Sequence, residues 1–150
     1  MKTLIQRVTF ARVTTKEGHN QKIDNGLLIL LGIEHSDSKS DAEWLVNKIA
    51  NLRIFDDNEG VMNRSLLDIA GEAMVVSQFT LHARTKKGNR PSYIDAAPPD
   101  ISIPLYEYFI EMIEITLGKS VAKGVFGAHM QVELLNDGPV TIMIDTKNKA

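Results

Sequence analysis

Alternating apolar and polar residues predict a β-strand at the start of the chain. Over residues 3–13, Leu4, Val8 and Phe10 fall on one face of an extended backbone, with polar side chains between them. A continuous apolar run at 27–33 has the length of a strand, and it is apolar enough to be buried on both faces. The first third of the chain therefore predicts two strands.

Two later segments carry apolar residues at helical spacing. The 40–43 segment, Ser-Asp-Ala-Glu, has the pattern of a capping box and precedes the apolar positions of 42–52. A second helix is expected from its cap at Ser102 to about Leu117, because Gly118 follows as a stop signal. The apolar face of this second helix is predicted to comprise Leu105, Tyr108, Phe109 and Met112.

Three further segments have strand character, and they complete the predicted fold. Residues 73–81 form a strong apolar run, and 129–135 and 140–144 flank the turn signal Asn136-Asp137-Gly138-Pro139. On residue type alone, this turn is a hairpin with a trans Gly138–Pro139 bond. Residues 145–150 resemble a frayed polar tail. Together the elements predict an α/β fold with mixed, largely antiparallel sheets and two main helices.

Composition indicates one domain, residues 1–150, of a soluble and cytoplasmic protein. The 150 residues include 43% hydrophobic and 24% charged residues and no cysteine, which excludes a disulfide framework and a thiol nucleophile. No apolar run approaches the roughly 20 residues of a membrane span, so no membrane partner is expected. The net charge, 17 − 19 = −2, argues against a protein that coats nucleic acid unspecifically.

Metal and nucleotide cofactors have no support in the sequence. The four histidines, at 19, 35, 82 and 129, are isolated, and no phosphate-binding glycine loop is present. A Thr80–His82 nucleophile–base pair is disfavoured if 73–81 is a strand. Neighbours on one strand face are then about 6.5–7 Å apart, too far for a hydrogen bond.

A local concentration of positive charge points to an anionic ligand. No acidic residue lies between Glu72 and Asp95, and the basic residues within this window are Arg84, Lys86, Lys87 and Arg90. A nucleic-acid phosphate backbone is the obvious candidate. A merely solvated basic loop is an equally good interpretation at this point.

Three blocks of sequence resemble the D-aminoacyl-tRNA deacylase family. They are Ser77-Gln78-Phe79-Thr80-Leu81, Lys87-Gly88-Asn89-Arg90-Pro91-Ser92-Tyr93 and Asn136-Asp137-Gly138-Pro139-Val140-Thr141. Tyr93 stands where the family commonly has Phe, and His82 is not part of the family pattern. The similarity runs from end to end, and the first and third blocks together, in this order and spacing, are specific.

The resemblance implies a homodimer that cleaves the ester between a D-amino acid, or mischarged glycine, and the 3′ end of tRNA. It implies a layered α/β/β fold, active sites at the subunit interface and a cis Gly138–Pro139 bond that reaches into the partner's site. The carbonyl oxygens of this motif would leave no room for an L side chain, and Arg7 would orient the motif. No cofactor or metal is implied.

The resemblance also implies roles for other residues. Ser77, Gln78, Phe79 and Thr80 would form the catalytic pocket, and Phe126 and Met130 would lie near the terminal adenosine. Asn136 would belong to the substrate-binding set, and Arg84, Lys86, Lys87 and Arg90 would bind tRNA. Catalysis would be assisted by the tRNA's own ribose hydroxyl and by backbone N–H groups, in preference to a nucleophilic Thr80.

Two alternatives remain open from the residues. One is a non-catalytic nucleic-acid-binding protein that uses the Arg84–Arg90 basic segment alone. The other is a hydrolase of small esters with no RNA partner, which the basic segment argues against.

Overall fold

The computed structural model describes residues 1–150 and contains eight strands, two α-helices and one 3₁₀ turn. The strands are β1 (Lys2–Thr14), β2 (Asn20–Ile23), β3 (Gly26–Gly32), β4 (Phe55–Asp56), β5 (Met62–Arg64), β6 (Glu72–Ser77), β7 (Ala122–Lys123) and β8 (Gln131–Asp145). The helices are α1 (Lys39–Asn51) and α2 (Pro99–Leu117), and the 3₁₀ turn spans Phe79–His82. The predicted α/β class with two main helices is confirmed.

Strand β1 organises a mixed six-stranded sheet. Its first half pairs antiparallel with β3 and its second half with β2, while β8 pairs antiparallel along nearly its whole length. Since β8 and β3 bond to the same residues of β1, they lie on opposite edges of it. Beyond β3 the sheet continues through parallel pairs to β6 and β7, and β4 and β5 form a separate hairpin. The long strand β8 is therefore an edge of the sheet.

A bend in β1 divides the core into two layers. The β1–β8 register shifts between Gln6 and Phe10, and the buried side of the strand changes there. Before the bend, Ile5 packs into the larger cluster beneath α1 and α2. Beyond it, Ala11 and Val13 pack with β3 and β6 residues in a smaller cluster on the other sheet face. The core thus has one layer on each face of the sheet. The predicted single face of Leu4, Val8 and Phe10 is wrong for Phe10, because the bend changes the phase after Val8.

Both helices begin earlier than their sequence patterns indicate. The N-cap of α1 is Ser38. The Ser38 backbone N–H and hydroxyl both donate to the Asp41 carboxylate, at 2.9 and 3.0 Å. Helix α2 follows Pro98, so Ser102 lies within the first turn and donates its hydroxyl to the Pro98 carbonyl at 3.0 Å. In α1 the prediction was displaced because Ser38 and Ser40 are both capping residues, and in α2 because Pro99 is tolerated at the first helical position.

The buried stripe of α2 is rotated from the predicted one. Its buried apolar residues are Tyr106, Phe109, Ile110 and Ile113, whereas Leu105, Tyr108 and Met112 are only partly buried. The helix packs into the corner between the sheet and α1, and that corner determines which side is covered. No helix of the structure has the length and apolar character needed to cross a membrane.

The C-terminal residues are anchored, and the predicted frayed tail is wrong from 145 to 147. Thr146 is buried and its N–H donates to the Met1 carbonyl at 2.9 Å. Lys147 donates to the Asp41 carboxylate at 2.9 Å and to the Ser36 carbonyl at 3.1 Å. Burial alone would raise the pKa of Asp41, but hydrogen bonds from Lys147, Thr146 and Ser38 lower it well below its usual range.

We expect Lys147→Met to lower the free energy of unfolding by about 0.5–1 kcal/mol at pH 7, because it removes a partly exposed ion-pair network. A carboxylate with a depressed pKa in the folded state stabilises the protein above its unfolded pKa and loses that contribution as pH falls. Asp41 stays ionised in the folded protein well below the ordinary Asp pKa of 3.8, and the unfolded chains of both proteins titrate alike, so the deficit of the variant should stay constant between pH 7 and pH 4. Urea unfolding between pH 7 and pH 4 measures it.

Lys16→Met is the matched control, since Lys16 is exposed and forms no ion pair. A deficit for Lys147→Met that equals this control would contradict the anchoring of the tail by Asp41.

Candidate functional site

A cavity of about 460 Å³ opens where β3 and β6 end. Leu31, Ile33, Val76, Ser77, Gln78 and Phe79 line it from the strand ends, Ala96, Ala97, Pro99 and Ser102 from the approach to α2, and residues 126–130 with Val132 from the opposite wall. The structure thus brings Ser77, Gln78 and Phe79 together with Phe126 and Met130, as the resemblance implies. The wall from Ala96 to Ser102 carried no signal in the sequence.

The strand predicted over 73–81 stops at Ser77 and turns into the 3₁₀ segment. The Gln78 N–H still donates to the Leu31 carbonyl at 2.8 Å, and the chain then winds through Phe79–His82. Gly32 lies directly beneath this turn. A Cβ at Gly32 would lie 2.9 Å from the Gln78 carbonyl oxygen and 3.1 Å from His82, so the turn packs where only a glycine leaves room.

The break invalidates the strand-spacing argument, yet Thr80 and His82 still form no pair. The only hydrogen bond to Thr80 Oγ1 comes from Gln78 Nε2 at 2.5 Å. His82 is buried, with Nδ1 3.7 Å from a Glu34 carboxylate oxygen and Nε2 without any hydrogen-bond partner. Thr80, predicted to belong to the catalytic pocket, does not itself line the cavity. His129 does line it, but its side chain forms no hydrogen bond, so neither Thr80 nor Ser77 has a hydrogen-bonded base.

The opposite wall of the cavity is held by a buried tyrosine. The Tyr106 ring meets Phe126 edge-on, with centroids 5.5 Å apart, and its hydroxyl donates to the Val75 carbonyl at 3.1 Å. Burial raises the pKa of Tyr106 to about 12, so it stays a neutral donor at physiological pH. This contact positions Phe126 relative to β6.

The 136–139 segment is a bulge within β8, and the predicted hairpin is wrong. Residues on both sides of it pair with the same strand, β1, so the chain does not reverse. The Gly138–Pro139 bond is cis, as the resemblance implies, where residue type alone indicated trans. Asn136 closes the segment, because its Oδ1 accepts the Val140 N–H at 2.8 Å. Gly138 and Pro139 are exposed.

Arg7 holds this segment from below. Its Nε donates to the Asp137 carbonyl at 2.7 Å, and its Nη1 donates to the Ile54 carbonyl at 2.8 Å. At Gly138, φ is 145°, and a Cβ would lie 3.0 Å from the Val140 nitrogen and 3.2 Å from Arg7 Nη2. Glycine is thus required at Gly138 by both the backbone conformation and the space.

The structure keeps the 136–139 segment apart from the cavity of the same chain. The two lie on β8 and β6, with β1 and β3 between them, which is a separation of about 14 Å across the sheet alone. They are also offset along the strands, because Ser77 is in register with Thr3 through Leu31, whereas Asn136 pairs with Val8. None of Arg7, Asn136, Gly138 and Pro139 lines the cavity.

The basic segment separates into one paired and three unpaired cations. Arg84 donates two hydrogen bonds to the Asp95 carboxylate, at 2.5 and 2.6 Å. These hydrogen bonds lower the pKa of Asp95. Lys86, Lys87 and Arg90 are exposed and form no ion pair. The pairing of Arg84 with Asp95 was not foreseen, because Asp95 lies outside the basic segment and eleven residues from Arg84. No group of three or more His, Asp or Glu side chains could hold a metal ion.

Comparison with known proteins assigns the family. Residues 4–145 match the family model described as D-Tyr-tRNA(Tyr) deacylase. The chain belongs to this deacylase family. It is 62% identical over 150 residues to the D-aminoacyl-tRNA deacylase of Bacteroides fragilis strain YCH46, and 60% identical over 149 residues to that of Parabacteroides distasonis. Both alignments cover 99% of each chain.

Two solved structures share the fold of this deacylase family member. The first, titled c-Myc DNA Unwinding Element Binding Protein, has 40% identity and a TM-score of 0.91 over 97% of this chain and 98% of the other. The second, a probable eukaryotic D-amino acid tRNA deacylase, has 15% identity and a TM-score of 0.83 over 95% and 97%, which shows the fold alone.

The contact between Gly32 and the 3₁₀ turn leads to a prediction about the cavity. Gly32→Ala should lower the free energy of unfolding by about 1–3 kcal/mol, since overpacking forces neighbours apart. It should lower the deacylase activity expected of this family by about 10- to 100-fold, because small displacements of positioning groups are costly. Urea unfolding and initial rates measure the two effects.

Ile49→Val is the control, because it removes a methylene from the fully buried core on α1, far from the cavity. It should destabilise by about 1 kcal/mol and leave activity unchanged. Wild-type activity in Gly32→Ala would show that the turn does not need its present position.

Proposed function

We propose that this protein hydrolyses the ester bond of D-aminoacyl-tRNA, and of glycine mischarged on tRNA, to release the amino acid and free tRNA. The observation that carries the proposal is the cavity itself. In a chain of the deacylase family, it joins Ser77, Gln78 and Phe79 to Phe126 and Met130. Its volume of about 460 Å³ is in the range that takes one small ligand, such as a terminal aminoacyl-nucleoside.

The proposed chemistry relies on orientation and oxyanion stabilisation. Thr80 has no general base, so a nucleophilic role for it is disfavoured. The Gln78 N–H donates to the Leu31 carbonyl. The first N–H of the 3₁₀ turn that donates a backbone hydrogen bond is that of Leu81, to the Gln78 carbonyl. The N–H groups of Phe79 and Thr80 are therefore the donors offered to the carbonyl oxygen as it gains charge. The neighbouring ribose hydroxyl assists the attack by water.

We further propose that the protein acts as a homodimer with each site completed by its partner. The 136–139 segment is exposed and distant from its own cavity, which suits a segment that reaches another chain. Strand β8 is an unpaired edge of 15 residues whose exposed apolar side chains include Leu135 (61% exposed) and Met143 (54%). Such an edge is normally covered in a folded protein, and a two-fold dimer covers it with itself.

In this arrangement Gly138 and Pro139 of one subunit select chirality in the other. Their carbonyl oxygens face the substrate Cα. Arg7 fixes the position of the segment by donating a hydrogen bond to the Asp137 carbonyl. Such a selector excludes an L side chain sterically and makes no binding contact with a side chain. It therefore accepts many D-residues and cannot reject glycine. Because aminoacyl-tRNA is used in the cytoplasm, the proposal includes a cytoplasmic location.

A non-catalytic nucleic-acid-binding role is the second candidate. It is favoured by the 40% identical structure, whose title names a DNA-binding protein, and by the three unpaired cations at Lys86, Lys87 and Arg90. Binding through phosphates alone falls steeply with salt and ignores the chirality of an attached amino acid. Chirality of hydrolysis therefore distinguishes the two roles.

The test is hydrolysis of D-tyrosyl-, L-tyrosyl- and glycyl-tRNA by the purified protein in EDTA. We expect the D and glycyl esters to be cleaved and the L ester to be spared, since only the L side chain meets the carbonyl wall. Survival of all three esters would contradict the enzyme and favour the binding role. Cleavage of all three would retain the chemistry and reject Gly138 and Pro139 as the selector. A free D-tyrosine ester tests whether the RNA is needed.

A further inference from the structure

Apolar side chains are exposed just outside the cavity. Phe79 lines the cavity yet is 56% exposed, and Tyr93, 39% exposed, meets it edge-on with ring centroids 5.0 Å apart. Ile94, next to Tyr93 in the chain, is 70% exposed. We call Phe79, Tyr93 and Ile94 the aromatic shelf. Contiguous exposed apolar groups of this kind mark interaction surfaces.

The backbone on both sides of Tyr93 is fixed. Arg84 and Ser92 exchange two backbone hydrogen bonds, at 2.8 and 3.0 Å, and the Arg84–Asp95 ion pair spans the same base. The Tyr93 carbonyl accepts the Ala96 N–H at 3.0 Å. The shelf is therefore held in place before any ligand arrives, which lowers the entropy cost of binding.

Three unpaired cations flank the shelf. The loop closed by the Arg84–Ser92 pair carries Lys86, Lys87 and Arg90, all exposed and without ion-pair partners. The shelf thus has positive charge on one side and the cavity on the other, through Phe79. Aromatic faces beside free cations are what single-stranded nucleic acids bind, because bases stack while phosphates pair with the cations.

We propose that the aromatic shelf stacks the unpaired nucleotide that precedes the esterified terminal nucleotide of tRNA, while Lys86, Lys87 and Arg90 contact the adjoining phosphates. This rests on the proposed function, in which the cavity takes the terminal nucleoside. The cavity has room for one nucleoside, so the next must leave it, and the route across Phe79 leads onto Tyr93. The shelf then acts in tRNA binding and has no part in the bond-breaking step.

The test compares two substrates that carry the same D-tyrosyl ester, one on full tRNA and one on adenosine alone. Tyr93→Ala should lower kcat/KM on the tRNA ester by about 5- to 100-fold, the fold-change that one stacked base is worth. It should leave the adenosine ester unchanged within about two-fold of wild type. Tyr93→Phe should behave as wild type on both, because the ring remains.

Ile115→Ala is the matched control, since Ile115 is also exposed but lies on α2 away from the cavity. Equal losses on both substrates, or no loss on tRNA, would overturn the proposal. A change in molar mass of Tyr93→Ala by light scattering would instead assign the shelf to contact between two copies, and would also overturn it. If wild type cleaves neither ester, the proposed function has failed.

Binding without hydrolysis separates these cases. Fluorescence anisotropy with a three-nucleotide single-stranded RNA should show weaker binding by Tyr93→Ala, and adenosine as competitor should bind both proteins equally. Equal RNA binding by Tyr93→Ala and wild type would overturn the shelf even if the enzyme assays were silent.

Discussion

Arg7 carries a positive charge into the bend of β1, and much of the architecture follows from how that charge is satisfied. A buried guanidinium without partners costs several kcal/mol, so it must be surrounded by acceptors. Here the Ile54 and Asp137 carbonyls accept from Nη1 and Nε, and the Asp56 carboxylate lies 3.3 Å from Nη1. One side chain thereby joins β1, the segment after α1 and the bulge of β8. A lysine could not reach two carbonyls at fixed angles in this way.

The same constraint separates two parts of the proposed site within one chain. Arg7 holds the 136–139 segment at the exposed edge of the sheet, about 14 Å or more from the cavity at the end of β6. The cavity has a shaped wall and backbone donors but no nucleophile–base pair. The exposed segment has backbone carbonyls but lines no part of that cavity. Each lacks what the other offers, and β8 supplies an edge along which two copies can meet.

Local patterns predicted what local interactions determine. The apolar run at 27–33 became the buried strand β3, because burial on both faces leaves a continuous signature in the residues themselves. The strand predicted over 73–81, however, ends at Ser77. What ends it is packing against Gly32, a residue on another strand that is 45 positions away. No reading of 73–81 alone contains that contact.

Long-range partners account for the other differences. The tail was expected to fray because 145–150 is polar, yet Lys147 bonds with Asp41 across more than one hundred residues. The turn at Asn136-Asp137-Gly138-Pro139 has hairpin residues, but both flanks pair with β1, so the chain continues. The candidate site residues were found through family blocks. Their division into a cavity and a distant segment became visible only in the sheet order.

The most direct test of a site shared between two chains is complementation. Gln78→Ala removes the hydrogen bond to Thr80 in the cavity, and Gly138→Ala disrupts the 136–139 segment, so each homodimer should be inactive. Mixed after unfolding and refolding together, half of the two-fold dimers contain one of each chain, and one of their two sites is intact, which restores about a quarter of wild-type activity. If the cavity and the segment acted within one chain, no intact site could form, and the mixture would stay inactive.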